Sequence, residues 1–68
     1  MDNLNKLFGK KIRARRKERG LSQDKLAEKS KIDRSYIGRI DRGEVNITID
    51  KLYTLADALE CSPCDLLP

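Results

Sequence analysis

The stretch SQDKLAEKSKIDRSYIGRIDRG, from Ser22 to Gly43, constrains this chain more than any other. Two capping residues divide it. Ser22 offers its hydroxyl to the unpaired amides of a first helical turn, and Asp33 offers its carboxylate to those of a second. After Ser22, Gln23 to Lys29 reads as a short helix with Leu26 and Ala27 turned inward. Ser30 and Lys31 carry no periodic signal, and Ile32 is apolar again. After Asp33, Arg34 to Arg42 forms a second helix, which Gly43 can end in a left-handed conformation. Ile37 and Ile40 lie three apart and share one face, so Arg34, Ser35, Arg39 and Arg42 are left to solvent or to a partner.

Helix, short turn and second helix with a basic outer face is the layout of a helix-turn-helix that reads DNA. Gln23, the Leu26-Ala27 pair and the run from Tyr36 to Gly43 resemble the phage repressor and Cro family, the XRE-type regulators. The resemblance extends from Phe8 to about Leu67. Each piece is a weak motif, but the ordered set is specific. It implies an all-α, lambda-repressor-like DNA-binding domain of five short helices over residues 1–68. It also implies sequence-specific binding of double-stranded DNA in transcriptional regulation, with symmetric dimers on palindromic sites. At this size the chain is similar to Cro-like repressors and to the small controllers of restriction–modification systems.

Composition is consistent with that expectation. A chain of 68 residues allows one domain with a small core. Residues 1–42 carry 14 Lys and Arg against 6 Asp and Glu, a net of +8, whereas residues 43–68 carry 1 against 5, a net of −4. A basic part of this kind suits a polyanion. No apolar run is long enough for a membrane span, and Met1-Asp2-Asn3-Leu4 opens without a signal-like segment, so a cytoplasmic location is expected. With no histidine, no phosphate-binding glycine loop and no pairing of nucleophile and base, no enzymatic activity or cofactor is expected.

Taken in order, Asp2 or Asn3 can cap a first helix whose apolar face is Leu4, Leu7, Phe8 and Ile12, ending near Arg19 at Gly20. Most of its cations are solvated; Lys10 and Lys11 are the candidates for phosphate contact. Arg16 falls on the apolar face, where a guanidinium needs a carboxylate. The resemblance implies Asp41 as its partner; the alternative is that Arg16 reaches DNA. Lys25 stands where relatives often carry the Glu of a capping box, so that reciprocal bond is missing. By resemblance Gln23 touches a phosphate and can brace the recognition helix; otherwise it is a solvent-exposed first-turn residue. Tyr36 is either a core-edge ring with its hydroxyl toward phosphate or purely structural. Gly38 either lets DNA approach the backbone or is simply tolerated.

Glu44 is expected either to limit DNA affinity or to face away. Asn46 bonds phosphate or braces its loop. Thr48 caps a further helix with the stripe Ile49, Leu52, Leu55, Ala56 and Leu59. Ser62-Pro63-Cys64-Asp65 signals a short fifth helix. Cys61 and Cys64 form a C-x-x-C that lacks the further ligands of a zinc site within one subunit. The readings open to it are apolar packing by Cys61 with Cys64 incidental, a redox pair, or a metal bridged between subunits. By resemblance Arg34, Ser35 and Arg39 read bases, while Gln23, Arg42 and Asn46 hold phosphates. A homodimer is expected through the C-terminal region, at Leu66, Leu67 and either Leu59 or Tyr53. The competing functional class is a protein-interaction module such as an antitoxin or coactivator-like adaptor, which calls for exposed apolar residues on the second helix rather than arginines. A general chromatin-like binder is the third reading, and it needs no defined recognition helix.

Overall fold

The computed structural model describes the backbone of residues 3–68 and the side chains from Leu4 onward. The cap expected of Asp2 or Asn3 lies outside the described side chains. Four α-helices, α1 (Asn3–Glu18), α2 (Gln23–Ser30), α3 (Arg34–Asp41) and α4 (Ile49–Ala58), precede a 3-10 turn at Pro63–Leu66. The chain is thus all-α, with its fifth element tighter than an α-helix. There Asp65 N–H donates to Ser62 O at 2.9 Å and Leu67 N–H to Cys64 O at 3.3 Å, the i→i+3 pattern of a short 3-10 segment.

Helix starts follow the caps. The side chains of Ser22, Asp33 and Thr48 accept from Lys25, Ser35 and Lys51 N–H at 3.1, 3.1 and 3.2 Å. Ser62 and Asp65 complete a capping box at the last turn.

Helix ends share one device. At α1, α3 and α4 the amide two residues past the cap folds back onto the helix: Leu21 onto Arg16 O at 2.9 Å, Glu44 onto Arg39 O at 2.9 Å, Cys61 onto Ala56 O at 3.0 Å. Gly20 and Gly43 make the left-handed step for the first two, while Glu60 makes the third with φ 56°. That conformation costs a non-glycine residue about 1–2 kcal/mol. Arg19 offsets it by donating from Nε to Leu59 O at 2.9 Å and from Nη2 to Glu60 O at 2.7 Å. Lys31, also left-handed, ends α2, and Ser30 Oγ is buried in the same turn, accepting from Ile32 N–H.

The core is formed by Phe8 and Ile12 of α1, Leu26 of α2, Ile37 and Ile40 of α3, the α4 stripe from Leu52 to Leu59, and Leu66. Three sequence expectations need correction. Ile49 is 74% exposed, because it is the first residue of α4 and burial begins one turn later at Leu52. Leu4 and Leu7 are also exposed; on α1, burial begins at Phe8. Leu59 and Leu66 are fully buried within the chain itself and so are not available for contact between copies.

Two glycines let α1 cross the end of α3 at backbone distance. A Cβ on Gly9 would lie 2.6 Å from Ile40 O and 2.7 Å from Asp41 O. A Cβ on Gly43, whose φ is +72°, would lie 2.6 Å from Lys6 Cγ and 2.8 Å from Lys6 Cα. No helix among the described residues is long and apolar enough to cross a membrane.

Candidate nucleic-acid interface

The last residue of α3 is held from beneath. Asp41 Oδ2 accepts from Arg16 Nη2 of α1 at 3.1 Å and from Gln23 Nε2 of α2 at 2.8 Å. Arg16 Nη1 donates to Leu21 O at 3.2 Å, in the link between α1 and α2. The Arg16 and Asp41 side chains are 12% and 4% exposed, so the pair is largely withdrawn from water. One carboxylate therefore joins three helices. Arg16 occupies the structural role expected of it. Gln23 braces the end of the recognition helix and is itself only half-buried.

The outer face of α3 is polar. Arg34 pairs with Asp24 in the first turn of α2, strapping the two helices of the motif together. Ser35 donates its hydroxyl to the Asp33 carboxylate that also caps its amide. Those two bonds, hydroxyl first, hold the Asp33 carboxyl below its ordinary range. Arg39 and Arg42 converge on one residue. Arg42 donates from Nε and Nη2 to the two carboxylate oxygens of Glu44 at 2.8 and 3.3 Å, and Arg39 Nε lies 3.9 Å from Glu44 Oε1. The bond from Arg42 is the main reason that the Glu44 carboxyl sits below its usual range, and the same bond raises Arg42. Glu44 does not face away from the α3 cations; it grips them.

The remaining candidates are spread over α1, α3 and the α3–α4 loop. Tyr36 is half-buried against the core, with Lys51 Nζ 5.2 Å from its ring centroid. Asn46 accepts from Asn5 Nδ2 at 2.7 Å, which ties the α3–α4 loop to α1. Lys10 and Lys11 are exposed on α1 immediately after Gly9. Gly38 is buried beneath side chains rather than open: a Cβ there would lie 3.2 Å from Arg42 Nη1 and 3.8 Å from Gln23 Oε1. The missing side chain leaves room for the tip of Arg42.

Sequence reasoning passed over Gly9, Asn5 and Lys51. Only Gly9 carried a usable signal, since an isolated glycine inside an amphipathic helix marks a close approach. Cys61 and Cys64 are free thiols; Cys61 packs against the core, and burial raises its thiol above the ordinary value, while Cys64 is exposed.

A short helix braced from beneath by its neighbours, with arginines along its outer side, defines a helix-turn-helix fold. The chain matches the helix-turn-helix family over residues 12–66, and it belongs to that family, in its XRE-type branch. It is 39% identical over 67 residues to the control protein C.BamHI of Bacillus amyloliquefaciens, covering 97% of this chain and 83% of that one. It superposes with a TM-score of 0.90 on the restriction–modification controller C.AhdI of Aeromonas hydrophila, at 40% identity, covering 93% and 96% of the two chains. It superposes with a TM-score of 0.84, at 35% identity over 91% of this chain and 82% of that one, on the controller C.Esp1396I, crystallised as a tetramer with its natural 35 base-pair operator.

Proposed function

We propose that this protein is a sequence-specific, double-stranded-DNA-binding transcriptional regulator that controls a restriction–modification gene pair. The observation that carries the reading is the α2–α3 pair itself. Asp41, fixed by Arg16 and Gln23, sets the pose of α3, and Arg34, Arg39 and Arg42 stand on its outer side. In this reading the N-terminal half of α3 enters the major groove. Arg34 and Arg39 have the planar fork that fits guanine O6 and N7, and Ser35, one turn before Arg39, adds a less selective contact. Gln23, Tyr36, Arg42, Asn46, Lys10 and Lys11 hold the backbone and set the register. The close likeness to C.BamHI and C.AhdI over nearly the whole length supports the controller role.

The protein acts as a homodimer on a two-fold symmetric site. With Leu59 and Leu66 in the core, the contact falls to Tyr53 and Leu67, joined by Ile49, which lies one turn before Tyr53 on α4; all three are exposed. None of the large exposed apolar side chains among the described residues lies on α3, which disfavours a protein-docking role for the recognition helix.

Selection of bound duplexes from a random pool tests the reading. A consensus with two-fold symmetry is the expected result, and a pool that shows no enrichment would overturn sequence-specific binding. Sedimentation with and without the selected duplex checks the assembly; a protein that stays monomeric and binds one to one would rule out the dimer.

A further inference from the structure

We propose that Glu44 is an internal competitor of DNA, whose carboxylate occupies the guanidinium groups of Arg39 and Arg42 in the free protein and gives them up when nucleic acid binds. The inference rests on the DNA-binding reading and adds to it a residue that sets affinity by opposing it.

Backbone geometry puts Glu44 in place. The end of α3 folds back so that Glu44 N–H bonds Arg39 O at 2.9 Å, through a left-handed Gly43. Lys6 lies close enough to Gly43 to exclude a side chain there, so this turn needs glycine both for its φ and for the space. From this position the carboxylate reaches both arginines.

The contact uses the donors that DNA would need. Arg42 presents Nε and Nη2 to the two oxygens of Glu44, a two-donor edge that could equally clasp a phosphate. The Arg42 guanidinium is already lodged over Gly38. One edge cannot serve both anions.

The position is also unfavourable for an acid on other grounds. The C-terminal end of a helix carries the negative pole of its dipole. Glu44 sits at that end of α3 and is offset there by Arg39 and Arg42. Because the side chains are 47–59% exposed, the grip is weak enough to exchange with an external anion. The expected consequence is lower affinity for every duplex, which keeps the basic face from holding non-specific DNA tightly.

The test compares wild type, Glu44→Gln and Asp57→Asn, the last removing one negative charge from the exposed side of α4. Each is titrated with a mixed-sequence duplex and with the duplex enriched by selection. Glu44→Gln is expected to bind both about three- to tenfold more tightly, the scale of one or two exposed ion pairs, whereas Asp57→Asn changes little. In an Arg42→Ala background most of the Glu44→Gln gain should disappear. A gain no larger than that of Asp57→Asn, or one left unchanged by Arg42→Ala, would overturn the competitor role while DNA binding stood. Wild-type protein that retained neither duplex would sink the DNA-binding reading and this inference with it.

Discussion

Two arginine–carboxylate pairs sit at the same end of α3, one beneath it and one on its outer side. Arg16 Nη2 meets Asp41 Oδ2 at 3.1 Å, and Arg42 Nε meets Glu44 Oε2 at 2.8 Å. By distance the outer pair is the better one, yet energetics reverse the order. The inner side chains are 12% and 4% exposed, and the outer ones 59% and 47%. Water screens the outer pair and competes for it, so its two members can part at little loss. The inner pair has no such alternative, and an ion left behind there is buried and uncompensated. The same two functional groups thus fix the pose of the recognition helix on one side and leave its arginines exchangeable on the other. Burial, not bond length, assigns the roles.

Breaking each pair from its acidic side gives the largest contrast. Asp41→Ala should lose about 3–5 kcal/mol of stability, because Arg16 and Gln23 both lose their acceptor. Glu44→Ala should leave the denaturation midpoint almost unmoved. Arg16 Nε and Asp41 Oδ1 make no hydrogen bond among the described residues. Replacing both partners, as Arg16→Met with Asp41→Leu, should therefore cost much less than Asp41→Ala alone. Chemical denaturation of the set measures this, and an Asp41→Ala midpoint close to that of Glu44→Ala would erase the distinction between the pairs. Next in size is Gly9→Ala. Its Cβ would meet the carbonyls of Ile40 and Asp41, so α1 must lift from the residue that Arg16 grips. A loss of about 1–3 kcal/mol is expected from this overpacking, despite the better helix propensity of alanine. A more stable variant would show that α1 and the end of α3 part readily at this crossing.

What the sequence made legible follows the same line between local and distant contacts. Ser22, Asp33, Thr48 and Ser62 were readable as helix starts because a cap bonds an amide two or three residues away. Ile37, Ile40, Leu52 and Leu55 were readable from helical period. Period also assigned Ile49 to the core, since it cannot tell where along a helix burial begins. Period places Leu59 on the core stripe, where it is found, but only the packed chain shows that Leu66 completes the core while Leu67 does not, so that neither Leu59 nor Leu66 can serve a contact between copies. Arg19 bonds carbonyls 40 and 41 residues away and had no local signature. The inner pair was accessible through family resemblance. The outer one depends on how Gly43 turns the chain back over α3, which spacing alone does not reveal.

Binding measurements sharpen the comparison on the outer side, where Arg39 and Arg42 share Glu44 but are expected to part on DNA. Arg39→Ala should weaken binding to the selected duplex about ten- to hundredfold and to scrambled duplex little, as loss of a base fork does. Arg42→Ala should weaken both about equally and lower the slope of log K against log salt by about one. Titrations at several salt concentrations separate the two, and equal losses on both duplexes for Arg39→Ala would remove its base contact.

The smallest effect concerns acid. The Glu44 carboxyl ordinarily titrates near 4.5, and the Arg42 hydrogen bond holds it lower in the folded chain. A depressed folded value means that the unfolded chain binds the proton first as pH falls. The contribution of the outer pair is therefore fully present above the ordinary value, and it is lost as pH drops through the folded one. Because both partners are exposed, this contribution is small and screened by salt. Wild type and Glu44→Gln should thus differ slightly in stability near neutral pH, converge below the ordinary carboxyl range, and coincide throughout in high salt. Paired denaturation curves across that range measure the difference directly. A gap that persisted in acid, or that resisted salt, would mean that the outer pair behaves like the inner one and that exposure does not decide their roles.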